Sequence, residues 1–208
     1  MKKLLLTTSI FLITMLCNAQ EKDKTEEKDN TTKTLWLFKY KMGFSELTLY
    51  DLHKVNGAMY QFDLMLSSRL SKRLRLEYGL GSSEFRGNHV FLDKYTDIKN
   101  QYIRVPVNLM YTRDILNNVS IISGIGFHGS YLYSSKTNDI TEKHVGLIFG
   151  VSLQYGVRFK ISDDSNITLS YEFQSDFNKS KTYEYGPTPA EQRISASSLL
   201  SLGFVHKL

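Results

Sequence analysis

The amino-acid sequence predicts an all-β fold, an eight-stranded antiparallel up-and-down transmembrane barrel, and three observations predict it. Apolar and polar residues alternate with period two in eight separate segments after Thr34. A strand sends successive side chains to opposite faces, whereas a helix would scatter both sets around its axis. One alternation, His144–Ile161, runs well past the about five or six residues of an ordinary strand and the about 9–11 that a tilted strand needs to cross a bilayer. The third observation is the chemistry of the faces. The polar set carries Asp63, Arg75, Glu77, Arg104, Arg158 and Glu172 among many glycines and serines, and the opposite set is aliphatic and aromatic. A soluble barrel encloses its apolar face; a charged enclosed face belongs to a barrel whose outside is solvated by lipid.

The elements follow in chain order. Lys2 and Lys3 form a basic start, Leu4–Leu16 an apolar run, and Cys17-Asn18-Ala19 a small-x-small site, which together predict a signal peptide over residues 1–19. Cys17 is the single cysteine, so the remaining chain has no disulfide, thiolate site or cysteine nucleophile. An acylated Cys17 would want a small residue before it, and Leu16 stands there. Residues 20–33, QEKDKTEEKDNTTK, have no apolar residue and mixed charge, which predicts a solvated leader. Residues 34–208 are then one barrel domain. The formal charge of +5 includes Lys2 and Lys3, and the rest is too small an excess to argue for nucleic acid.

Trp36, Phe38, Tyr40, Met42 and Phe44 alternate with Leu37, Lys39, Lys41 and Gly43 to give the first strand. Ala58–Ser67, Leu74–Gly81 and Ile103–Thr112 repeat the logic, the third placing Arg104, Pro106 and Asn108 inward. Val119–Tyr131 sets Ile121, Ile125 and Phe127 against Gly124, Gly126, His128 and Ser130. In His144–Ile161 every odd position is apolar or aromatic, and Ile167–Gln174 and Leu199–Val205 complete the set. An even number of strands suits closure of one antiparallel chain. Turns are expected at Ser71-Lys72, Asp114–Asn118 and Ser162–Ser165, and long polar loops at Ser45–Asn56, Glu84–Lys99, Ser134–Lys143 and Asn178–Ser195. In such barrels short turns face the periplasm and long loops the outside, so both termini are expected in the periplasm.

The run from Asn100 to Tyr111, with Tyr102 four residues ahead of Pro106, resembles a strand typical of PorT-like outer-membrane barrels, also described as OmpA-like or porin-family. Leu70–Gly87 and Ser123–Tyr133 are similar to two further strands of that family, and the resemblance spans most of residues 35–208. Arg104 departs from it, standing where the family commonly has an acid. The resemblance implies an outer-membrane barrel and supplies no activity.

Chemical sites read as lumen filling. Ser130, His128 and Glu172 could assemble a Ser–His–acid set, but alternation puts all three on the inner wall, away from lipid. His206 is expected outward near the rim, and His53, His89 and His144 lack metal-ligand spacing. Gly79-Leu80-Gly81 and Gly124-Ile125-Gly126 precede no helix, so neither is a phosphate loop. The six charged residues Asp63, Arg75, Glu77, Arg104, Arg158 and Glu172 are expected to form a lumen ion-pair network, with Asp63, Arg75, Glu77 and Arg104 as one cluster and Arg158 with Glu172 as a second. The sequence thus points to a structural or interaction protein of the outer membrane, with no catalysis, metal or cofactor. Its expected partners are outer-membrane lipid and lipopolysaccharide, the barrel-assembly machinery during insertion, and other envelope proteins. A small-solute or ion pore and a lipid-modifying enzyme are the competing readings.

Overall fold

Every alternating segment forms a strand, and the strands outrun the segments that predict them. The computed structural model describes residues 34–49, 53–91, 94–138, 140–182 and 190–207; the expected signal peptide and leader lie outside them. The elements are β1 (Leu35–Leu49), β2 (His53–Arg69), β3 (Leu74–Phe91), β4 (Lys94–Leu116), β5 (Val119–Thr137), β6 (Ile140–Lys160), β7 (Ser165–Asp176), the short β8 (Ser180–Thr182) and β9 (Ala190–Lys207). Each long strand pairs antiparallel with the next, β7 with β9, and β9 returns to β1. The eight long strands therefore close a ring without an open edge, while β8 pairs only with the outer part of β9.

Register sets the shape. Stepping across the ladder from Leu35 leads through Ser67, Glu77, Asn108, Gly126, Ser152, Gln174 and Ser197 and back to β1 at Ser45. One circuit thus climbs from residue 35 to residue 45 of the same strand. With eight strands spaced about 4.8 Å and about 3.3 Å per residue, that stagger corresponds to a tilt of about 40° and about 2.5 Å of height per residue.

The phases read from the sequence hold in all eight segments. Phe38, Tyr40, Met42, Phe62, Leu80, Ile103, Leu153 and Leu202 are among the exposed outward residues, and Lys39, Lys41, Asp63, Arg104 and Glu172 are buried inside. From Phe159 to Phe149 the exposed apolar column of β6 is about 25 Å tall at this tilt, the height of the outward apolar band of a membrane barrel.

Toward the end opposite the termini the pattern inverts. On β2 the outward residues change from Phe62 and Tyr60 to exposed Asn56 and Lys54, as the inward ones change from Asp63 and Gln61 to Met59 and Val55. On β3 the outward Leu80 gives way to Arg86, and the inward Gly81 and Ser83 to the fully buried Phe85. Leu47, Val55, Phe85, Ile98, Leu132 and Ile148 belong to one buried apolar cluster at this level. Water solvates the wall there, so burial moves inside.

This inversion corrects the expected loops. Ser45–Leu49 pairs with His53–Gly57, Gly87–Phe91 with Lys94–Ile98, and Lys136-Thr137 with Ile140-Thr141. Three of the four expected long loops are mostly ladder, and the fourth contains β8 and the start of β9. Asn138, at φ 51°, joins β5 to the connection ahead of β6 in a left-handed conformation that asparagine tolerates, and exchanges hydrogen bonds with the Asp97 backbone. The turns at the other end are short, as expected: Ile161 and Ser162 donate to the Ser165 carbonyl, and Leu70 and Ser71 to that of Leu74.

Candidate functional site

The inward phases of the strands converge in the lower and middle barrel on a layer of charge. Lys41, fully buried on β1, holds its Nζ 2.9 Å from Asp63 Oδ2 on β2 and 2.7 Å from Glu172 Oε2 on β7. Lys39, two residues nearer the N-terminus, donates to Glu77 Oε2 at 2.8 Å and Gln154 Oε1 at 3.1 Å. Gln174 donates to Glu172 Oε1 at 2.6 Å and exchanges hydrogen bonds with Gln61, and Gln154 donates to Ser170. Strands two and three places apart in the ring are joined because the interior of eight strands is about as wide as its side chains are long. Small inward residues make the room. A Cβ at Gly81 would fall on the Asp63 carboxylate, and one at Gly126 on the Asn108 amide.

The six charged residues singled out in the sequence all lie on the inner face, in pairings that differ from the expected ones. Arg158 Nη2 lies 4.0 Å from Glu77, while Glu172 pairs with Lys41. The tilt explains this: Arg158 stands opposite Thr168 in the ladder, four residues from Glu172 on β7 and nearer the turns. Arg75, close to the turn end, donates to the Ser67 hydroxyl and carbonyl. Arg104 is 2% exposed and lines a small space of about 20 Å³ with His128, Tyr102 and Asp176. Its Nε and Nη1 have no hydrogen-bond partner among the described residues, and the space is large enough for one water.

Lys39 and Lys41 are absent from the charged set drawn from the sequence although their alternation placed them inward. Asp176 escaped because it lies two residues past the recognised part of β7. It accepts from His128 Nε2 at 3.1 Å and, through its other oxygen, from the Ile194 backbone at 2.9 Å. His128 is thus oriented by Asp176 and not by Glu172, and its Nδ1 has no partner among the described residues. Ser130 and His128 are both buried below the apolar cluster.

Among the described residues the interior sets three buried cations, Lys39, Lys41 and Arg104, and the partly buried Arg158 against four buried carboxylates, Asp63, Glu77, Glu172 and Asp176. A balanced and mutually contacting set can stay charged out of water, whereas an unpaired buried charge is costly. Leu37, Met65 and Val205 form a smaller apolar cluster on the terminus side of the layer.

The sequence matches the family model of the outer membrane protein beta-barrel domain over residues 9–200. Among solved structures, Neisserial surface protein A (NspA) aligns with TM-score 0.59 at 14% identity, covering 84% of this chain and 97% of that one. The outer membrane protein OprG from Pseudomonas aeruginosa aligns with TM-score 0.61 at 12% identity, covering 85% and 96%. No curated protein matches the sequence. Likeness at this identity establishes the fold, and a fold hosts many functions.

Proposed function

Because the chain belongs to the outer membrane protein beta-barrel domain family and resides in the outer membrane, we propose that it serves there as a structural or interaction protein with a closed lumen. The observation that carries this reading is the stacking of the interior: a neutral, interlocked charge layer lies beneath an apolar cluster that spans the barrel. An ion entering from the outer end would have to part packed apolar side chains such as Phe85, Leu47 and Ile148, each at most 1% exposed. The membrane-embedded part then acts as an anchor, and its work is done by the hairpins that rise out of the apolar belt.

The orientation that goes with this reading has termini and tight turns in the periplasm and the extended hairpins outside. It gives the protein lipid and lipopolysaccharide as neighbours and the barrel-assembly machinery as a partner during insertion. The likeness of the Tyr102–Pro106 strand to PorT-like barrels supports a contribution to envelope integrity or to a secretion assembly. Catalysis is not part of the proposal, since His128 is buried beneath the cluster and Asp176 is its only hydrogen-bond partner among the described residues.

Planar-bilayer recording on the purified protein tests the closed lumen. The expected trace shows no steady conductance steps; persistent steps of porin size would overturn the reading.

A further inference from the structure

The turn end of the barrel gathers positive charge. A cleft of about 600 Å³ opens there among Arg69, Lys72, Arg73, Arg75, Arg113 and Arg158, and among the described residues Asp114 is the one carboxylate lining it. Three elements supply these cations: the β2–β3 hairpin, the last turn of β4, and the inner face of β6. Two neighbouring acids are committed elsewhere, Asp163 to Lys160 at 2.6 Å and Asp164 to Lys207 at 3.2 Å. Asp114 accepts from the neutral Ser120 hydroxyl at 2.6 Å and keeps its charge, a single negative charge against the six cations. Glu77 is held by Lys39 at 2.8 Å and reaches Arg158 only at 4.0 Å.

Two buried polar atoms on the cleft wall, Arg158 Nε and Thr112 Oγ1, have no hydrogen-bond partner among the described residues. Concentrating like charges in this way costs stability unless a counter-charge joins them. Five of the six cations are arginines, whose planar forks match the oxygens of phosphate in pairs, which lysine does not do.

We propose that this mouth is a binding site for phosphate-class oxyanions, with Arg73 and Arg113 at the entrance and Arg75 and Arg158 at the floor. The cleft lies at the edge of the apolar belt, where Leu74 stands between the lining residues Arg73 and Arg75 and where phospholipid headgroups sit. The phosphate can therefore come from a lipid headgroup or from a free anion, and the two sources separate in one experiment.

The mature protein is reconstituted in phosphatidylcholine nanodiscs and titrated with inorganic pyrophosphate by calorimetry; in parallel, discs containing phosphatidylglycerol are released for native mass spectrometry. Saturable pyrophosphate binding, weakened at least tenfold in Arg73→Gln/Arg113→Gln, is the expected result for a free anion. Retention of phosphatidylglycerol by the wild type and its loss from the same variant is the expected result for a headgroup. Arg73 lies in the β2–β3 turn and Arg113 is exposed near the end of β4, and the heat-modifiable gel shift checks that the barrel still forms. Lys54→Gln/Arg86→Gln, at the opposite end, should leave either signal unchanged. Absence of both signals overturns the proposal, and so does equal weakening by the two variant pairs, which would mark a response to overall charge.

Discussion

At the scale of single residues the most consequential group is Lys41, a lysine whose ammonium answers two buried carboxylates at once. Removing it strands Asp63 and Glu172 out of water, so Lys41→Met should destabilise by about 3–5 kcal/mol, as loss of one partner of a buried pair does. Adding Glu172→Gln should return part of the loss, because it removes one of the stranded charges. Urea unfolding in lipid vesicles measures both, and a Lys41→Met barrel as stable as the wild type would show that lumen water already screens the site. The inward phase of Lys39 and Lys41 was legible from alternation. Their pairing was not, because partners on β3 and β7 meet across the lumen, and a strand-by-strand reading carries no information on distances through the middle of the ring. Arg158 shows the same limit: it shares a face with Glu172, but the ladder stagger carries it toward Glu77 instead.

At the scale of elements, eight strands and their phases could be read because lipid and lumen impose opposite chemistries on alternate residues. Strand ends could not. Where β2 and β3 leave the belt the alternation persists with its sign reversed, and a search for apolar-out residues on β3 ends at Gly81 while the strand continues to Phe91. The two accounts of this segment differ in a measurable way. If Glu84–Phe91 packs as strand, Phe85→Ala should cost about 3–5 kcal/mol through the cavity it leaves in the apolar cluster. The neighbouring Arg86→Ala should fall within about 0.5 kcal/mol, since its side chain is exposed and its partner Glu84 lies at the surface. Near-neutral values at both positions, by the same urea assay, would mean that the segment is a loop after all.

For the whole molecule the question is where the bilayer sits, and the belt answers it with a testable geometry. Leu153 lies six residues along β6 from Phe159, about 15 Å into the belt at about 2.5 Å per residue, close to its middle. Leu153→Arg should then cost about 2–4 kcal/mol in vesicles. Trp36, the single tryptophan, sits at the turn-end edge, paired with Leu66 and His206, where an amphipathic ring favours the headgroup level. Depth-dependent quenching follows from these two positions. In vesicles of brominated lipid the Trp36 emission should be quenched most by bromines near the headgroup end of the acyl chain. Trp36→Phe carrying Leu153→Trp should respond most to bromines near the chain terminus. The reverse order would place the charged layer of Lys41, Asp63 and Glu172 near a water interface, and the energetic case for a paired interior would then fall with the belt.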